Sequence, residues 1–226
     1  MLIDNTFSIT ARCVTTGMFG VAVSTCRPAV GSRVPFALAG VGAIASQASS
    51  NPYLGIDGLK LLRSDVSADV VVERVIRNDP DNAHRQLVVV DSSGRSAGYT
   101  GSEAVSWAGH RTGENYGVAG NMLVGVDTID AMAASFEATV GVEFLDRMLR
   151  ALEAGQAAGG DKRGKQSAAL YVVHEEEWAY CDLRSDENID PVADLRRVHG
   201  LWSDQVLDSL KGVPRRASIG DMTRPV

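Results

Sequence analysis

The sequence predicts an α+β protein organised as a four-layer αββα sandwich, two antiparallel sheets flanked by helices. Three observations predict it. Strand-like segments come as consecutive hairpins, helical segments come as consecutive pairs, and both kinds are rich in apolar residues. Hairpins build antiparallel sheets, and sheets that are apolar on both faces need cover on both sides. No internal repeat and no alternating βαβ pattern is present.

The elements follow in order. Residues 6–13 alternate as Thr6-Phe7-Ser8-Ile9-Thr10-Ala11, turn at Thr15-Thr16-Gly17, and return through 19–24. The small-residue apolar stretch 40–46 suits a buried third strand, and 47–52 reads as a polar loop ended by Pro52. Two helices are expected, over 53–63 and after the cap Ser67, the second stopped by Asn78-Asp79-Pro80. A hairpin follows over 85–91 and 95–100, turning at Ser92-Ser93-Gly94. The glycine-rich span 107–125 reads as irregular, with a short strand at 116–122. Helices are expected at 127–136 and 143–154, the latter with Phe144, Leu145, Met148, Leu149 and Leu152 on one stripe. A third hairpin covers 167–173 and 178–183, and a last helix opens at Asp190-Pro191.

The chain has 226 residues, enough for one domain. Residues 1–5 form a short extension, 6–211 the domain, and 212–226 a basic, loose tail. With 45% hydrophobic and 22% charged residues the composition is globular. The net charge of −6 offers no basic face for nucleic acid. No run reaches the ~18 apolar residues of a membrane span, and residues 1–5 lack the regions of a signal peptide, so a cytoplasmic location is expected. The acidic run Glu175-Glu176-Glu177 reads as a solvated hairpin turn. Cys13, Cys26 and Cys181 and the four histidines are scattered, so no metal is expected.

Two cofactor patterns fail on context. Gly40-Val41-Gly42-Ala43-Ile44-Ala45 fits the dinucleotide fingerprint, but Asn51-Pro52 leaves no room for the helix that would meet a pyrophosphate. Gly159-Gly160-Asp161-Lys162-Arg163-Gly164-Lys165 fits a P-loop frame, yet Gln166 replaces the metal-binding hydroxyl and the loop enters a strand. No cofactor is expected. The loop still gathers Asp161, Arg163 and Ser167 at a strand entrance, where they are candidates for ligand contact. His110, in the glycine-rich span, and Asn121, a candidate oxyanion or substrate donor, join them. Thr6 heads the first strand. It is either an ordinary β-branched strand residue or, with the chain cut before it, a nucleophile whose own α-amine is the base.

Thr6-Phe7-Ser8-Ile9, Phe19-Gly20-Val21-Ala22-Val23, Gly40-Val41-Gly42-Ala43, Gln47-Ala48-Ser49-Ser50-Asn51-Pro52, Trp107-Ala108-Gly109-His110, Gly120-Asn121-Met122-Leu123 and Gly155-Gln156-Ala157-Ala158-Gly159-Gly160-Asp161-Lys162-Arg163-Gly164 together resemble the domain of unknown function family 1028. That family is similar in fold to N-terminal nucleophile (Ntn) hydrolases. The resemblance runs from Thr6 to about residue 210. It implies an αββα sandwich and an amide hydrolase acting on a small-molecule substrate, with Thr6 as nucleophile. Segments at Gln47 and Asn51, near Asn121 and around Asp161 would line the cleft. Many family members begin Met-Thr; here residues 1–5 precede Thr6, so the implied role requires their removal. Proteasome-like relatives carry a lysine on the third strand, and 41–46 has none. A homo-oligomer is expected, and the alternative reading is a non-catalytic ligand-binding or assembly protein on the same sandwich.

Overall fold

The computed structural model describes residues 3–4 and 6–219. Its first sheet is built from β1 (Ile3–Asp4), β4 (Pro35–Leu38), β5 (Gly42–Ser49), β6 (Arg85–Asp91) and β7 (Ser96–Thr100). The strand order is β1-β5-β6-β7, and β4 shares the outer edge of β5 with β1. The second sheet is built from β2 (Thr6–Arg12), β3 (Phe19–Thr25), β8 (Gly109–Gly113), β9 (Tyr116–Gly120), β10 (Ser167–Val173) and β11 (Ala179–Ser185). Its order is β11-β10-β3-β2-β9-β8. Every pairing is antiparallel, as the run of hairpins requires.

Three apolar layers hold four layers of structure. Helices α1 (Pro52–Arg63) and α2 (Ala68–Arg77) lay Leu54, Leu62, Val71 and Val75 on Ile44, Leu87 and Val89 of the first sheet. Helices α3 (Asp127–Ala138), α4 (Phe144–Ala157) and α5 (Pro191–Gln205) lay Met132, Leu145, Leu149 and Leu195 on Phe7, Ile9, Val118 and Leu170 of the second. Between the sheets sit Phe19, Val21, Val23, Ala43, Ala45 and Ala169. Each fully buried large side chain contributes roughly 1.5–3 kcal/mol by leaving water. The period of two sorts β2: Phe7, Ile9 and Ala11 join the helix-side core, which sends Thr6, Ser8 and Thr10 to the inter-sheet side. Gly117 lacks the Cβ that would come within 2.5 Å of Val88 Cγ1, so β9 can press onto β6.

The structure departs from the sequence reading in two places. Strand β5 runs on to Ser49, so Gln47 is a buried strand residue and not part of a polar loop. The irregular span contains a regular hairpin, β8–β9, whose glycines hide its strand character. The acidic run lies on the exposed β10–β11 turn, as expected, where Arg215 pairs with Glu175, Arg216 with Glu177, and the Arg216 N–H reaches Glu176. Residues 216–219 form a short helix, α6. Residues 220–226 of the expected tail lie outside the described residues.

Candidate active site at the polar end of the sandwich

Thr6 is the first residue of β2, a strand flanked on both sides, and is 0% exposed. On one side its cross-strand partner is Thr25 of β3, which in turn faces Ser167 of β10. On the other, the Asn121 N–H donates to the Thr6 carbonyl at 3.0 Å. Strand β1 lies on the first sheet, Asp4 opposite Ala48, so the chain passes between sheets just ahead of Thr6.

Here the inter-sheet layer turns from apolar to polar. Ser8 Oγ donates to Gln47 Oε1 at 2.7 Å, and Gln47 Nε2 donates to Gln86 Oε1 at 2.8 Å. The same Gln86 oxygen accepts from Asn121 Nδ2 at 2.9 Å. Gln86 Nε2 faces Thr100 Oγ1, the Gly109 carbonyl and the Gly120 carbonyl at 2.9, 3.1 and 2.9 Å. One fully buried glutamine thus ties β5, β7, β8 and β9 together across the sandwich. The network holds no formal charge, which suits a site closed to water. The residue after each of two amides, Ala48 and Met122, has positive φ (69° and 53°). A left-handed non-glycine residue costs about 1–2 kcal/mol, and such strain gathers at functional sites.

The loop 159–166 crosses the end of β2. Asp161 Oδ2 accepts from the Cys26 N–H beyond β3 at 3.3 Å, and the Lys162 N–H donates to the Met122 carbonyl beyond β9 at 3.0 Å. Asp161 is 4% exposed, and its carboxylate is held by Arg163 Nη2 at 2.5 Å, Arg163 Nε at 3.0 Å and the Arg163 N–H at 2.9 Å. A Cβ on Gly160 would come within 3.0 Å of Phe7, which shows how closely the loop rides on the strand. Thr6, Gln47, Asn121, Asp161 and Arg163 are therefore brought to one end of the sandwich.

Ser167 and Asn51 are near this end but spent on the fold. Ser167 Oγ donates to the Arg27 carbonyl at 2.5 Å and accepts from the Val30 N–H at 3.1 Å. Asn51 caps α1 through Tyr53 N at 3.0 Å and donates to Asp79 Oδ2 at 2.8 Å. Burial pushes the Asp79 carboxyl up, but Arg85, Asn51 and the Asp81 N–H together hold it below the usual carboxylate range. Losing the cap and the amide bond, Asn51→Ala is expected to cost about 1–2 kcal/mol. Thermal unfolding should register this as a fall of roughly 2–8 °C.

His110 reaches the network at its exposed edge, with Nδ1 2.8 Å from Thr100 Oγ1. Its ring lies where a side chain on Gly98 would stand, a Cβ there coming within 2.4 Å. Desolvation holds the imidazole below its ordinary pKa. A depressed pKa means that the stability it contributes is present above the ordinary value, about 6.5, and is lost as pH falls through the folded one. Melting temperature should therefore decline on acidification below about pH 6.5, and less steeply in His110→Gln.

Ser8, Gln86 and Thr100 are missing from the sequence reading. Their signal is register: Gln86 shares a face with Val88 and Val90, and Ser8 with Thr6 and Thr10. Among the described residues no group of three or more His, Cys, Asp or Glu could hold a metal, and no helix is long and apolar enough to cross a membrane.

The fold and its polar end define a class: four-layer αββα sandwiches with a buried threonine heading an inner strand of one sheet. The chain belongs to the Family of unknown function (DUF1028), whose profile matches residues 6–195. It is similar to protein SPO2555 from Silicibacter pomeroyi, a member of that family, at 30% identity and a TM-score of 0.87, covering 96% of this chain and 98% of that one. Anbu (ancestral beta-subunit) from Yersinia bercovieri overlaps at 11% identity and a TM-score of 0.39, over 92% of this chain and 98% of that one. No curated protein matches the chain.

Proposed function

We propose that the protein is an N-terminal-nucleophile-type hydrolase of a small amide, with Thr6 as nucleophile once residues 1–5 are removed. The observation that carries this reading is the setting of Thr6: first in its strand, on the inner face, at the polar end of the sandwich. Removal of the leader hydrolyses the peptide bond before Thr6 and leaves a carboxylate on residue 5 and a free α-amine on Thr6. The Thr6 hydroxyl then adds to the substrate carbonyl while its proton passes to that amine. Collapse of the tetrahedral intermediate breaks the C–N bond, and the leaving nitrogen takes the proton. Water, with the amine again as base, hydrolyses the Thr6 ester and releases the acid.

The amine needs to be neutral to serve as base. Its ordinary pKa is about 8, and burial disfavours the ammonium form. Desolvation thereby supplies what a third-strand lysine would supply in proteasome-like sites. The substrate is a diffusible small molecule, in keeping with a net charge of −6 and a site lined by neutral amides.

A second reading, a ligand-binding protein without catalysis, is favoured by one observation. Residues 3–4 are paired into the first sheet, and Thr6 with its leader in place has an amide nitrogen that cannot act as a base. Turnover of a panel of small primary amides by wild type and Thr6→Ala separates the two readings.

A further inference from the structure

The hydrogen-bond pattern fixes which way every amide in the network points. Backbone carbonyls can only accept, so the Gln86 atom facing the Gly109 and Gly120 carbonyls is Nε2 and carries the hydrogens. Its other atom, Oε1, can only accept. The Gln47 and Asn121 atoms at 2.8 and 2.9 Å from it are therefore both nitrogens. Gln47 Oε1 follows as the acceptor of the Ser8 hydroxyl. Asn121 Oδ1 is then an oriented acceptor, and it is buried with no hydrogen-bond partner among the described residues. Asn121 itself is 0% exposed.

An unsatisfied buried carbonyl of this kind costs about 1–3 kcal/mol, and here it sits on a residue that stands directly opposite Thr6. The same wiring ties one hydrogen of the Asn121 NH₂ group to Gln86, so the amide cannot turn over and exchange its oxygen for a donor without breaking the chain of amides. We propose that Asn121 Oδ1 is a specificity-determining acceptor that receives an N–H group of the ligand, so that the small molecule bound at Thr6 carries an amine or ammonium beside its amide. Gln86 is the positioning residue that presents this oxygen. A ligand with a carboxylate at that point would set two acceptors against each other and be rejected. The inference rests on the nucleophile reading only for the location of the scissile amide.

The test is binding to the full chain, measured by calorimetry with two probes of matched length. β-Alaninamide ends in an ammonium and succinamate in a carboxylate. Wild type should bind β-alaninamide at least tenfold more tightly, a difference of about 1.4 kcal/mol or more. Asn121→Leu, which removes the acceptor, should lose that tenfold preference. Asn121→Asp should keep the preference or increase it, because a carboxyl either stays protonated against Gln86 Oε1 and still offers its carbonyl oxygen, or ionises and attracts the ammonium. The Asp variant and the probe pair decide the matter even where the Leu variant does not fold. Equal or tighter binding of succinamate, an unchanged preference in Asn121→Leu, a lost preference in a folded Asn121→Asp, or binding of neither probe would overturn the inference. The nucleophile reading fails separately, through an intact mass that retains residues 1–5 or through turnover that survives Thr6→Ala, whatever the probes do.

Discussion

Thr6→Ala is expected to abolish amide hydrolysis, with turnover falling by about 10⁴-fold or more. The hydroxyl is the attacking group, and alanine keeps the strand and the α-amine while removing that hydroxyl and the γ-methyl. The backbone of Thr6 stays in both neighbouring ladders, so the strand itself is retained. Thr6→Ser retains a hydroxyl and should recover part of the activity, although the lost methyl leaves the oxygen freer to rotate. The decisive pattern is therefore a pair: alanine inactive and folded, serine partly active. Wild-type turnover in Thr6→Ala would sink the nucleophile assignment.

Gln86→Leu is expected to produce the largest loss of stability, about 3–5 kcal/mol. Leucine matches glutamine in size and would fit a layer of valines, so packing alone predicts a small effect. The cost comes from what is orphaned. Gln47 Nε2 and Asn121 Nδ2 lose their acceptor, and the Gly109 and Gly120 carbonyls lose their side-chain donor. All of these groups lie between two sheets, where water cannot readily replace the lost partner. For a chain of this length the melting temperature should drop by roughly 6–20 °C. A change of under 1 kcal/mol, measured by denaturant unfolding, would show the network to be incidental.

The layers were legible because hairpin turns and paired amphipathic helices are local patterns. Gly94 marks the β6–β7 turn, and Phe144, Leu145, Met148, Leu149 and Leu152 mark the buried stripe of α4. The β8–β9 hairpin was obscured by Gly109, Gly113, Gly117 and Gly120. Glycine lowers strand propensity, and the reason for it here is contact with Trp107, Tyr116, Val88 and Leu123, which only the folded chain displays. Gln47 reads as loop because Ser46-Gln47-Ala48-Ser49 is polar and small; its burial depends on Ser8 and Gln86, both 39 residues away in sequence. Thr6 and Asn121 are recognisable in the sequence as candidates. The hub that orients them is not, since Gln86 gains its meaning from partners spread between Gln47 and Asn121.

While residues 1–5 remain attached, Thr6 has only an amide nitrogen, which cannot serve as the base. Cleavage of the bond before Thr6 would create that base, so on the proposed reading latency and activation share a single bond.

The intact mass of natively purified protein tests this most directly, read beside its activity on small amides. The active species is expected to begin at Thr6, with residues 1–5 absent. A preparation that hydrolyses amides while every molecule retains residues ahead of Thr6 would contradict it.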